Sequence, residues 1–374
     1  MARSLAKLPD IRHRRRVGRQ EPQLFTRRHC AHGTRCPQHW DGRFLILRID
    51  QTLGHDVKHA LSRRLEQASV SDQNGSMAHR IGIDLGGTKT EIMVLDETGS
   101  TLLRLRRPTP AGYDAALRNI ADLVAKAENE TGQRATVGVG IPGCISPATG
   151  LVKNANSNAL NGHPFDRDLS GLLEREVRVA NDANCFALSE AMDGAGAGHE
   201  VVFGVIIGTG TGAGIVVNGR IMEGRHRLAG EYGHTPLPWP KPEELPLRQC
   251  WCGQVGCLEL YLAGPALARE CDGPGYTDTS GLPQRAAAGD DKAQAALARH
   301  AERLARALAT ITNLLDPDCI VLGGGLSNMD HLYRTLPSLM RPYIFSDHVA
   351  PNIVKAKYGD SSGVRGAAWL WPES

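Results

Sequence analysis

His234 is followed by Cys250-Trp251-Cys252 and then by Cys257. One imidazole and three thiols, with the cysteines spaced C-x-C-x4-C, are the donors that tetrahedral zinc takes. Four protein ligands leave no open coordination position, so the expected Zn2+ is structural and not catalytic. The stretch around these residues carries Pro236, Pro238, Pro240, Pro242 and Pro246 and has no periodicity of its own. A metal staple over 234–257 would order it, since structural zinc contributes on the order of 10–16 kcal/mol in small peptides. Glu231 lies just before His234, and Glu259 just after Cys257. A metal fixing both flanks would hold the two carboxylates near one point, where they can accept hydrogen bonds from hydroxyl groups. Without it they are two solvated surface glutamates.

Two glycine-rich turns offer a different chemistry. Asp84-Leu85-Gly86-Gly87-Thr88-Lys89-Thr90 follows a strand-like run. Glycines let the backbone approach closely and turn amides toward phosphate oxygens. Thr88 and Lys89 add a hydroxyl donor and a charge, and Asp84 could hold a hydrated Mg2+. The turn is neither a Walker A loop nor a dinucleotide fingerprint, because both spacings are absent, and alone it could be an ordinary hairpin. Gly208-Thr209-Gly210-Thr211-Gly212-Ala213-Gly214 repeats the pattern later in the chain. Two such loops, each opening a domain, could clamp one nucleotide from both sides. Gly323-Gly324-Gly325 follows a buried strand and permits close approach of adenine or its ribose, or simply turns the chain. Asn181-Asp182-Ala183-Asn184 falls where a strand passes into a helix. Asp182 can cap that helix. It can equally act as a general base, ionised at neutral pH with its usual pKa of ~3.9 and able to take the proton of an attacking hydroxyl.

These residues need elements to carry them. Arg80–Asp84 is predicted as a strand, Gly86-Gly87 as a tight turn and Thr90–Leu95 as the returning strand, with Leu102–Leu105 as a third. Tyr113–Glu130 places Leu117, Ile120, Ala121, Val124 and Ala127 on one helical face. Val137–Ile141 reads as a buried strand ending at Pro142-Gly143, Arg178–Ala180 as another, and Asp182–Met192 as a helix. Val201–Ile207 and Gly214–Val217 start a second strand pair. Leu297, Leu304, Leu308, Ile311 and Leu315 mark one face of a long helix, and Cys319–Leu322 is a strand. The order strand-strand-strand-helix-strand-helix occurs twice, loosely, and predicts two α/β domains with a cleft between them.

The net charge of +3 averages two unlike parts. Residues 1–76 hold 15 Lys and Arg against 7 Asp and Glu, a surplus of eight; the rest holds 28 against 33, a deficit of five. The basic pI therefore does not indicate a nucleic-acid partner for the body of the chain. The first 76 residues contain no helix-turn-helix pattern and no apolar core of a secretory signal. An Arg-rich transit peptide fits poorly with the seven acids. Met77 reads as the start of translation, and the segment before it as a mis-called start or a disordered tail. No apolar run approaches the ~18 residues of a membrane helix. Nine cysteines, three of them crowded at 250–257, suit a metal site in a reducing compartment better than a secreted disulfide framework.

Taken together, Asp84–Thr90, Asn181-Asp182, Gly208–Gly214, Glu231–His234 with the three cysteines, and Gly323–Gly325 resemble in order and spacing the ROK family of bacterial sugar kinases, from about Arg80 to the end. Ile141–Pro147, Lys153–Ser157 and the tail Gly359–Trp371 look like the fructokinase/mannokinase group of that family. The N-acetylglucosamine kinases share Asn181–Glu190 and the cysteine loop but look less similar around Cys144–Asn158. The resemblance implies an actin-like, hexokinase-type fold with a smaller α/β domain (77–193 plus 355–374) and a larger one (194–354) that carries the zinc loop. It implies a cytoplasmic, homodimeric enzyme that uses ATP and Mg2+ to phosphorylate a free hexose, with no nucleic-acid or membrane partner. Fructose is the expected hexose, with N-acetylglucosamine or glucose as the alternative. Asp182 would be the base; Gly143, Asn156, Asn181, Glu231, His234 and Glu259 would contact the sugar. Gly86–Lys89 and Gly208–Gly212 would hold the phosphates, and Gly323–Gly325 would lie near the nucleoside. Cys144 after the Pro-Gly turn departs from many members that take an N-acetyl sugar. The same family contains sugar-responsive repressors with an N-terminal DNA-binding domain, but the intact phosphate loops favour catalysis over repression or simple sugar binding.

Overall fold

The computed structural model describes residues 79–155, 159–348 and 350–371. The expectations about residues 1–76 and about Asn156 lie outside them.

The first sheet starts with β1 (Arg80–Leu85) and β2 (Lys89–Leu95), both apolar enough to be buried on two faces. β3 (Thr101–Pro108) alternates Leu with Arg and buries only one side, as an edge strand does. It is longer than the expected Leu102–Leu105, because its arginines hide the strand pattern. Two of them, Arg104 and Arg106, pair across the ladder with the buried Glu91 of β2. Helix α1 (Tyr113–Thr131) lays Leu117, Ile120, Leu123 and Val124 on the sheet and stops at Gly132, a left-handed C-cap whose N–H donates to the Glu128 carbonyl. β4 (Thr136–Ile141), a small ribbon of β5 (Cys144–Ile145) and β6 (Val152–Lys153), helix α2 (Phe165–Leu173) and β7 (Val177–Asn181) follow. The strand order is β3-β2-β1-β4-β7, antiparallel through β3, β2 and β1 and parallel onward.

Helix α3 (Asp182–Met192) leads into the second sheet, built from β8 (Val201–Ile207), β9 (Thr211–Val217) and β10 (Arg220–Ile221), and later from β11 (Cys319–Gly323) and β12 (Ile353–Lys355). Its order is β10-β9-β8-β11-β12, with the same antiparallel-then-parallel scheme. The twofold repeat anticipated in the sequence is thus a repeat of sheet topology. Between β10 and β11 run the proline-rich loop, five short helical segments and α4 (Asp291–Leu315), which is capped by the Asp290 side chain and buries Leu297, Leu304 and Leu308.

Each sheet has its own apolar core. A third core joins Met93 and Leu95 of the first sheet, Val202, Val216 and Val321 of the second, and Phe186 of α3 with Val364, Ala368 and Trp369 at the chain's end. The end helix α5 (Ser362–Ala368) crosses α3 so closely that a Cβ on Gly366 would sit 1.6 Å from the Cys185 carbonyl oxygen. The far end of α3 is tied to the same segment. The wholly buried Glu190 accepts from the backbone N–H groups of Ala195, Lys357 and Tyr358 and from the Ser362 hydroxyl, which satisfies its carboxylate without a cation.

Candidate functional site

The N-terminus of α3 is where the site assembles. Asn181, the last residue of β7, is the cap: its Oδ1 accepts from the N–H groups of Ala183 and Asn184. The capping role weighed for Asp182 therefore belongs to its neighbour. Asn181 also donates from Nδ2 to the Gly143 carbonyl at 3.2 Å, so much of its hydrogen-bonding capacity is internal. Gly143 takes φ 76°, and a Cβ there would meet the Lys153 carbonyl oxygen at 2.3 Å, so the tight turn admits glycine alone. Cys144 donates to the Arg227 carbonyl across a 3.6 Å contact.

Asp182 is exposed to solvent. The surrounding protein mass still strips part of its hydration, and that desolvation pushes its pKa up to about 6. The hydrogen bond from the Ala183 N–H opposes the shift, while the negative charges of Asp84 and Glu231 add to it. Three carboxylates from three separated segments therefore share one field. Asp84 is itself raised, first by burial and then by Glu91, its cross-strand partner on β2; Lys89 and Arg106 pull the other way. Such a half-buried carboxylate beside another is suited to a cation, and Asp84 fits the expected Mg2+ role on that ground.

The glycine turns divide into those that leave room and those that serve packing. At the first turn, the Gly86 N–H donates to the Lys89 carbonyl at 3.0 Å, and Gly87, Thr88 and Lys89 are exposed, with nothing within 4 Å of a Cβ on Gly87. At the second, Gly208, Thr209 and Gly210 form the turn. Gly212, expected among the phosphate-binding residues, lies instead inside β9, paired with Ile206 and packed on Ala183 of α3. Strand pairing thus starts earlier than the glycines suggested, because absent side chains let β9 lie on the helix. The third run splits as well. Gly323 is buried, and a Cβ there would strike the Phe186 ring at 2.3 Å, so its bare backbone admits the packing of α3. Gly324 and Gly325 come within 3.9 Å of the position a Cβ on Gly208 would take, which brings the second and third turns together.

The ligand atoms of His234, Cys250, Cys252 and Cys257 lie within 4.8 Å of one another, a donor set that fits tetrahedral zinc. His234 turns its Nδ1 toward Cys250 Sγ at 3.8 Å. A buried ion cluster anchors the far end of the loop to α4. Arg306 donates to the carbonyls of Pro238 and Trp239 and to Glu244, which Arg303 also binds. Burial works against the Glu244 charge, but the two guanidiniums overcome it and hold its pKa down at about 2. Sequence spacing gave no hint of this cluster, since its members lie about 60 residues apart in the chain. Glu231 is exposed, and Glu259 is half-buried with both carboxylate oxygens engaged: Oε2 accepts from the Thr211 N–H at 3.2 Å and Oε1 from the Trp251 indole at 2.9 Å. That pairing was also invisible in the sequence.

The ROK family model matches residues 80–374. An N-acetyl-D-glucosamine kinase of Yersinia pseudotuberculosis serotype O:3 is 41% identical over 297 residues, covering 77% of this chain and 97% of the relative. A ROK hexokinase from Thermus thermophilus superposes with a TM-score of 0.69 at 33% identity, over 78% of this chain and 97% of that one. A ROK family glucokinase from Streptomyces griseus, solved with glucose and AMPPNP, superposes with a TM-score of 0.63 at 28% identity, over 79% of this chain and all of that one. The chain belongs to the ROK family, and its fold is the actin-like, hexokinase-type fold that the sequence implied. These relatives give fructose no support; N-acetylglucosamine, the alternative, fits them better. Among the described residues no helix is long and apolar enough to cross a membrane.

Proposed function

We propose that the chain phosphorylates a free hexose at its 6-hydroxyl with ATP, and that the preferred hexose is N-acetylglucosamine. The observation that carries this reading is the position of Asp182, solvent-accessible at the start of α3 with Asp84 and Glu231 in its field and β9 packed beside it. Asp182 accepts the hydroxyl proton as the sugar oxygen bonds to the γ-phosphorus; the bond from that phosphorus to the β,γ-bridging oxygen breaks, and ADP leaves. Gly86–Lys89 and Gly208–Gly210 offer amides, hydroxyls and the Lys89 charge to the phosphates. Mg2+ bound with ATP, held through Asp84, would offset phosphate charge. Zinc on His234, Cys250, Cys252 and Cys257 would fix the loop that presents His234, Glu231 and Glu259 to the sugar. Closure of lobes 77–193 plus 355–374 and 194–354 would exclude water from the transfer.

The raised Asp182 pKa gives a pH signature. The base works only when unprotonated, so kcat/KM should be level above about pH 6 and fall roughly tenfold per unit below it. A flat profile down to pH 5 would remove Asp182 from that role.

The substrate is tested by ADP release over N-acetylglucosamine, glucose, mannose and fructose, with the full chain and with a chain starting at Met77. N-acetylglucosamine should exceed fructose in kcat/KM by at least about tenfold, the scale at which a pocket separates related ligands. A fructose preference would restore the fructokinase reading, which rests on Ile141–Pro147 and the tail. No release with any sugar would end the kinase reading.

A further inference from the structure

Glu259 is hydrogen-bonded both beside the second glycine turn, to Thr211, and in the cysteine loop, to Trp251. Its Oε2 sits 2.9 Å from where a Cβ on Gly210 would be, and it accepts from the N–H of Thr211. The second glycine turn therefore already holds an anion, and the anion belongs to the protein. The Thr211 hydroxyl, at the start of β9, is buried and has no hydrogen-bond partner among the described residues. On its other side Glu259 is held by the indole of Trp251, a residue 75% exposed whose ring meets His234 edge-on at 5.0 Å. Little burial fixes that indole. Its place depends on the cysteine loop and on Glu259 itself.

We propose that Glu259 is a gate coupling the two substrates. In the free protein its carboxylate stands in for phosphate at the Gly208–Gly210 turn. A bound sugar offers hydroxyl donors on the loop side, draws the carboxylate toward them, and frees the Thr211 amide for the nucleotide. A carboxylate and a phosphate cannot share one amide and one small turn, since two like charges at contact repel strongly where water is scarce. Nucleotide therefore enters productively after sugar, and ATP is protected from hydrolysis while the sugar site is empty. This rests on the sugar-kinase reading above and adds the order of binding to it. Because coupling is reciprocal, nucleotide must tighten sugar binding by the same factor.

The test is calorimetric titration of the full chain with Mg2+ and the non-hydrolysable analogue AMPPNP, with and without saturating N-acetylglucosamine or whichever sugar of the panel is turned over best. In the wild type the sugar should tighten the analogue at least tenfold. Glu259→Gln removes the charge from the turn, so without sugar this variant should bind the analogue at least about fivefold tighter than the wild type does without sugar. Equal affinity with and without sugar in the wild type overturns the gate, and so does a Glu259→Gln chain that binds the analogue no tighter. The wild-type comparison needs no variant to fold. In a separate arm, sugar alone should shift tryptophan emission in the wild type and not in Trp251→Phe; an equal shift in both counts against the indole's part in the gate. Failure to turn over any sugar would defeat the kinase reading, whereas turnover with sugar-independent nucleotide affinity would defeat only the gate.

Discussion

Replacing Asp182 with Asn should lower kcat by at least ~10²-fold, the scale of a lost general base, while the melting temperature and sugar affinity stay near those of the parent. The separation is expected because the helix does not depend on this carboxylate. Asn181 supplies the cap to Ala183 and Asn184, and the single hydrogen bond that Asp182 accepts from the Ala183 N–H is one an amide oxygen can also accept. The substitution also removes a negative charge that Asp84 and Glu231 disfavour, so no stabilising pair is lost. Steady-state kinetics beside a thermal melt decides the matter. Turnover at the parental rate would take the base role away from Asp182.

The second large effect is expected at the cysteine loop. Wild-type protein should carry one zinc per chain by elemental analysis, and Cys252→Ser should be zinc-poor, less stable and weaker for sugar by at least about tenfold. Loss of one of four ligands opens the cage. The damage should stay local, because Arg306 and Arg303 still bind Glu244 and the Pro238 and Trp239 carbonyls at the far end of the loop. Hydrogen exchange should therefore rise around 250–257 and His234 more than around 238–244. Active, well-folded wild type without zinc would overturn the assignment.

What the sequence made legible follows from where its signals are local. β1, β2, β4 and β8 are apolar runs bounded by glycines, and α3 begins at Asp182 as expected because a strand, an Asn cap and a helix follow one another without a gap. The candidate metal-ligand cluster was legible because four donors of restricted chemistry crowd one short loop. The remainder was hidden because it is long-range. β12, only three residues long, exists through its pairing with β11. Gly212 and Gly323 were read for a ligand or a turn, and both also face α3, a packing role that only the folded helix reveals. Asn181 looked free for a ligand and is largely engaged in capping and in holding Gly143. The choice of sugar was read from short stretches around the Pro-Gly turn and at the tail, where a few residues weigh little against similarity over the whole catalytic body.

The crossing of α5 over α3 also bears on what keeps Asp182 in place. Both β1 and the helix that begins at Asp182 rest on this end segment: Gly82 lies against the Val364 carbonyl and the Ala368 N–H, Phe186 shares a core with Val364, Ala368 and Trp369, and the Ser362 hydroxyl binds Glu190. Glu190 and Ser362 stand 172 positions apart, so damage to the distant α5 should unsettle the carboxylate at the start of α3 without touching it.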